Sequence, residues 1–227
     1  GRNFLGMETP EKFDYPVNMS MVKKYFNVTD NPDEADYALV FISNPNSGLG
    51  YGKEDVKAGG NGYLPISLQY GEYTATDARD PSIAGGDKFE TFTNRTYKGK
   101  TVKAINITDL GMVTETQAKM KGKPVIVSVN MSNPMVFSEF EKEANAILVN
   151  FGVQDQAILD MLIGAVEPSG LLPLQMPANM QIVETQKEDV PHDMQCYKDS
   201  EGNVYDFGFG LSWKAVIKDA RVLKNKK

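Results

Sequence analysis

The chain has 227 residues, 41% of them hydrophobic and 24% charged, which is the composition of a globular protein long enough to bury a substantial core. A net charge of −6 and a pI near 5.0 argue against a nucleic-acid-binding face, since the only basic cluster is Lys224, Lys226 and Lys227 at the end of the chain. One cysteine, Cys196, and one histidine, His192, exclude an internal disulfide, a cysteine-rich metal site and any triad not built on that single imidazole.

At the start, Gly1-Arg2-Asn3-Phe4-Leu5-Gly6 lacks the basic-then-apolar layout of a signal peptide. Beginning on Gly rather than Met predicts a processed start with a part of the protein upstream. No apolar run reaches the ~18 residues of a membrane span, so no membrane partner is expected. Residues Asn18 to Tyr25 mix apolar and charged side chains at helical spacing. Tyr37-Ala38-Leu39-Val40-Phe41-Ile42 follows as a short apolar run of the kind that forms a strand buried on both faces. A long polar, glycine-rich loop, Ser43 to Gly62, comes next. Its Ser47-Gly48-Leu49-Gly50-Tyr51-Gly52 has neither the spacing of a dinucleotide-binding turn nor the Lys-Ser/Thr pair of a P-loop. Residues 78–103 hold few apolar side chains and predict an excursion; no role is assigned to residues 74–103.

A helix is expected over Thr108 to Met120, then a β-branched strand over Pro124 to Asn130. Ser138 to Ala144 reads as a short helix with Ser138 as N-cap and Glu141 at the capping-box position. A third strand, Ala146 to Phe151, precedes an amphipathic helix over Val153 to Ile163, with Ile158, Leu159, Leu162 and Ile163 on one side. Beyond Gly164 the chain reads as turns and short strands punctuated by Pro168, Pro173, Pro177 and Pro191, and His192 as a loop residue. Strands alternating with helices predict one α/β domain over residues 1–227, with a mostly parallel central sheet between two helical layers. Ligand loops of such sheets lie at the carboxyl ends of the strands, here after Ile42, Asn130 and Phe151. Glu54 and Asp55, in the longest of these loops, are the acids best placed for chemistry.

The order and spacing of further motifs carry a resemblance over roughly residues 35 to 213. They are Lys123-Pro124-Val125-Ile126-Val127-Ser128-Val129-Asn130, Asn133-Pro134-Met135, Gly152 with Gln154, Glu167-Pro168-Ser169-Gly170, Leu172-Pro173, Met176-Pro177 and Tyr205-Asp206-Phe207-Gly208-Phe209-Gly210-Leu211-Ser212-Trp213. This series resembles the C-terminal α/β domain of family-3 glycoside hydrolases, such as β-glucosidases and β-xylosidases. The resemblance implies a three-layer α/β sandwich with a mostly parallel central sheet, part of a retaining glycosidase acting on β-linked glycosides. It also implies that the nucleophilic aspartate sits on an upstream barrel domain, acting in cis or in trans and absent from these residues, while a glutamate from this domain is the acid/base. The isolated chain is then expected to be inactive or nearly so. No metal or organic cofactor is implied, nor a nucleic-acid partner, and the family habit points to a periplasmic or secreted setting.

Placed on this sequence, the Leu-Pro pair after the acid/base loop is Leu64-Pro65, with Gln69 following. Some relatives carry the acid in a Ser-Gly-Glu-Gly-Tyr run, and here Ser47-Gly48-Leu49-Gly50-Tyr51 has Leu49 in its place. Others show Glu-Gly-x-Asp-Arg; here Gly52-Lys53-Glu54-Asp55-Val56 has no Arg after the Asp, and Phe151-Gly152-Val153-Gln154-Asp155-Gln156 keeps only one glycine and one amide of the family's turn. Glu54 is therefore the candidate catalytic acid/base, with Asp55 and Tyr51 as candidate substrate-binding residues. A second reading keeps the fold and drops the reaction: a stand-alone sugar- or partner-binding domain, with Tyr51, Tyr63, Tyr70 and Tyr73 available to stack on sugar rings.

Overall fold

A computed structural model of the chain describes residues 15–77, 96–187, 190 and 192–225. Three parallel strands form the central sheet in the order β1-β4-β5: β1 (Ala38–Ser43), β4 (Val125–Asn130) and β5 (Ala146–Asn150). Between β1 and β4 the chain forms α2 (Lys53–Lys57), a two-stranded antiparallel ribbon of β2 (Tyr73–Thr74) and β3 (Thr101–Val102), and α3 (Thr108–Met120). The further helices among the described residues are α1 (Met19–Tyr25), α4 (Asp155–Leu162), α5 (Met180–Thr185) and α6 (Ala220–Asn225).

The β-branched run of β4 makes it the centre of the sheet. Val125, Val127 and Val129 are wholly buried on one face with Val40, Ile42 and Val113, and this cluster extends to Phe137, Phe140, Met176 and Tyr197. On the opposite face Phe41 of β1 packs against Val17, Val22, Leu159 and Leu162, which brings α1 and α4 together. Two apolar layers on either side of one parallel sheet make the three-layer α/β sandwich expected from the sequence. Asn18 caps α1, its side chain accepting from the Ser20 amide at 3.0 Å, while its own N–H donates to Asp155 of α4 at 2.8 Å.

Three local expectations are corrected. The helix anticipated over Ser138–Ala144 is instead two 3₁₀ turns, Phe137–Glu139 and Glu141–Glu143, broken at Phe140 (φ −146°) and without a side-chain cap from Ser138. Tertiary contacts overrule the capping pattern. Phe137 and Phe140 are both fully buried with ring centroids 5.6 Å apart, the Glu139 carboxylate is drawn to the amides of Tyr70 and Gly71, and Glu141 accepts from the Tyr197 hydroxyl. Ile163 lies beyond the last turn of α4 as its exposed C-cap rather than on the buried stripe. After Gly164 the chain also holds α5 and α6, where turns and short strands were expected. Most of the excursion anticipated over 78–103 falls outside the described residues.

The Tyr205–Gly210 segment packs as a corner. Tyr205 stacks on Phe209 at 5.2 Å and meets Phe137 edge-on at 5.3 Å. A Cβ on Gly210 would stand 2.2 Å from the carbonyl oxygen of Gly170, so this close backbone approach requires glycine.

Leu159, fully buried where α4 meets α1 and β1, tests the second layer. Leu159→Ala is expected to cost about 2–5 kcal/mol in urea unfolding with an unchanged m-value.

Candidate functional site

The parallel register sets Ser43, Asn130 and Asn150 in one row at the carboxyl edge of the sheet. A shallow cleft of about 470 Å³ opens beside that row, lined among others by Asp109, Gly152 and Asp155. Asp109 accepts from the amide of Ser43 at 3.0 Å and from Asn106 Nδ2 at 3.0 Å. Glu54 is not part of the cleft lining.

The long loop after β1 leaves this edge through a set of side-chain amides. Asn44, buried, donates from Nδ2 to Asn133 Oδ1 at 3.1 Å and accepts from the Ser132 amide at 2.8 Å. Asn106 accepts from the Asn46 amide at 2.9 Å and donates to the carbonyls of Ser43 and Asn44. Tyr70 is fully buried and donates its hydroxyl to the Ser43 carbonyl at 2.5 Å. The amides of Tyr70 and Gly71 donate to Glu139 at 2.6 and 2.8 Å. The start and the return of the loop are thus tied to the same row of strand ends.

Beyond this base the loop is a narrow hairpin. The Gly52 amide donates to the Gly62 carbonyl at 2.8 Å and the Leu64 amide to the Gly50 carbonyl at 2.9 Å, with Tyr51 bridged to Tyr63 and their rings edge to face at 6.4 Å. Gly48 (φ +93°) and Gly50 (φ +77°) turn the chain where it enters the hairpin, leaving Leu49 95% exposed. α2 sits inside the hairpin. Its N-cap, Gly52, offers no side chain, and none of its residues is buried.

Glu54 and Asp55 occupy the first turn of α2, where the helix N-terminus favours negative charge, but they face different ways. The Glu54 side chain is 83% exposed and, among the described residues, meets Lys57, one turn on, at 2.6 Å. Asp55 turns inward. Its Oδ2 accepts from the Gly62 amide at 2.7 Å and from Lys100 Nζ at 2.6 Å. The Lys100 hydrogen bond first, and the Gly62 amide second, hold the Asp55 carboxyl below the usual carboxylate range. A Cβ on Gly60 would lie 2.2 Å from Asp55 Oδ2, and one on Gly62 2.4 Å from the Tyr51 ring, so the loop closes only with glycine at both positions.

Of the four tyrosines considered for stacking, the structure presents Tyr51 to solvent; Tyr70 is a buried anchor instead, and the Tyr73 hydroxyl is shut away from solvent. Sequence reasoning missed Lys100, Asn61 and Asn106, whose partners lie tens of residues away in the chain. Only the density of Asn and Gly around the loop hinted at such a network. His192 is exposed in a left-handed turn (φ +62°). Among the described residues, no group of three or more His, Cys, Asp or Glu side chains is placed to hold a metal ion, and no helix is long and apolar enough to cross a membrane.

Known proteins share sequence with most of this chain. The family model described as the glycosyl hydrolase family 3 C-terminal domain matches residues 21–213. A protein from Aspergillus flavus named probable β-glucosidase C is 29% identical over 197 residues, which is 86% of this chain and 23% of that protein. β-Glucosidase C of Emericella nidulans is 35% identical over 99 residues, 43% of this chain and 15% of its own length. A periplasmic β-glucosidase/β-xylosidase of Dickeya chrysanthemi is 28% identical over 120 residues, 53% of this chain and 17% of its own. The chain therefore spans less than a quarter of the length of these relatives.

The buried Tyr70 hydroxyl makes the base of the loop sensitive to alkali. Burial, then Asp109 and Glu139, push its ionisation far above the ordinary value. The folded state therefore keeps a proton that the unfolded state loses above about pH 10. Stability should fall as pH rises beyond that point. In chemical unfolding at stepped pH, Tyr70→Phe should start less stable by about 1 kcal/mol and lose less with rising pH than the parent chain.

Proposed function

The chain belongs to the glycosyl hydrolase family 3 C-terminal domain family, and from that premise we propose that it supplies the acid/base loop of a retaining glycosidase acting on β-linked glycosides. Glu54 protonates the departing sugar oxygen and later takes a proton from water, and an aspartate from an upstream barrel domain attacks the anomeric carbon. The two carboxylates of a retaining site stand about 5–5.5 Å apart, so Glu54 has to face outward from its own domain. Its exposure at the free end of an anchored hairpin is the observation that carries this reading.

The surface around Glu54 supports a covering domain. Leu49, Tyr51, Val56 and Ile66 of the hairpin, and Ile105 beside its base, are all exposed. Covering them would exclude water from the surroundings of Glu54. Tyr51 is positioned to stack on a sugar ring at the rim. Asp55 reaches substrate only through Oδ1, because Oδ2 is spent on Gly62 and Lys100. No step of this chemistry calls for a metal or organic cofactor.

One observation favours the second reading, a non-catalytic sugar- or partner-binding domain. Leu49, which cannot donate a proton, stands 95% exposed in the Ser47–Tyr51 run where some relatives carry the acid. Hydrolysis of a panel of aryl β-glycosides, by the chain alone and by the chain joined to a family barrel domain, separates the two. Turnover is expected only from the joined form. Glu54→Gln should lower it by about 10²–10⁴-fold, with partial recovery in azide when the leaving group is activated. A joined form indifferent to Glu54→Gln would remove Glu54 from the reaction and favour the binding domain.

A further inference from the structure

α2 carries the acid/base candidate, yet it has no buried residue, no side-chain N-cap and only five residues, too few for a helix to be stable by itself. Something other than the hydrophobic core has to fix its direction. Two contacts that leave the hairpin meet at Lys100, which lies just before β3. Its ammonium donates to Asp55 Oδ2 at 2.6 Å and to Asn61 Oδ1 at 2.5 Å, so it bridges α2 to the returning arm of the hairpin. Asn61 in turn donates from Nδ2 to the Thr96 carbonyl at 2.8 Å. The Lys100 and Asp55 side chains are 21% and 22% exposed, sheltered enough to be less screened than an ordinary surface pair. Lys100 itself is held in the ribbon, where its carbonyl accepts from the Ala75 amide at 3.1 Å and its amide donates to Tyr97.

Resting on the reading of Glu54 given above, we infer that Lys100 is a positioning residue for that acid/base: through Asp55 it latches α2 to the β2–β3 ribbon and so fixes where the neighbouring Glu54 points. Without the latch α2 keeps its bond to Gly62 but loses its tie to the ribbon, and the glycines at 59, 60 and 62 let it shift, carrying Glu54 with it. The effect is on geometry rather than on binding, so it falls on kcat more than on KM.

Two measurements separate the latch from the role of Glu54. The first is amide hydrogen exchange in the 227-residue chain. Lys100→Met should speed exchange at Gly60, Gly62 and α2 by about tenfold or more while leaving β4 protected, and Lys100→Arg should restore much of that protection. Asp55→Asn, which keeps the acceptor for the Gly62 amide but loses the charge, should fall between them. The second is turnover by the joined enzyme, where Lys100→Met should lower kcat by about 10–100-fold with KM little changed, and Lys100→Arg should recover part of it. Unchanged exchange in Lys100→Met and Asp55→Asn overturns the latch whatever Glu54→Gln does. Faster exchange with unchanged kcat, or with an enzyme indifferent to Glu54→Gln, overturns the positioning role.

Discussion

The architecture depends on the burial of β4 on both faces. Val125, Val127 and Val129 leave no exposed surface, and Ser128 on the other face is nearly as enclosed. A strand in that position must have partners on both edges and layers on both sides, and here the partners run parallel to it. Parallel neighbours need crossovers that begin at the carboxyl ends, so chemistry-bearing loops have one edge of the sheet from which to leave. The row of Ser43, Asn130 and Asn150 is the direct outcome.

From that edge outward, the means of support changes. The sheet and its two flanking layers are held by apolar contact, whereas the hairpin after β1 is held by directed polar bonds and by glycines that permit close approach. Asn44, Asn106 and Tyr70 secure its base, and Asp55 with Gly62 secures its far end. The division suits the role proposed for the loop, presenting an acid to something outside its own domain, because an apolar anchor would draw the loop down onto the core.

What could be read from the sequence follows the same division. The β-branched runs of β1, β4 and β5, the helical spacing of α3 and the stripe of α4 are repeating patterns, and they placed the elements to within a residue or two. The motif series pointed to the family that the chain's match to the C-terminal domain model establishes. Individual polar side chains obey no repeat. Glu139 sits where a helix pattern suggested a turn of α-helix, yet its carboxylate serves Tyr70 and Gly71, nearly seventy residues back in the chain. Asp55 looked like a companion of Glu54 because they are adjacent, and only the fold brings Lys100 to one of them and not the other. Periodicity cannot encode such pairs, which exist only once distant segments meet.

The lack of any buried residue in α2 has a consequence for how damage to this protein would be noticed. Global unfolding is governed by the layers around β4, so a lesion confined to α2 exposes almost no apolar surface and leaves the melting transition where it was. A library sorted by thermal shift or by soluble yield would keep such lesions as silently as neutral changes. Under the proposed role of Glu54, sequence drift in this stretch is visible to selection for activity and nearly invisible to selection for foldedness, and the two pressures can part company here while the rest of the domain stays intact.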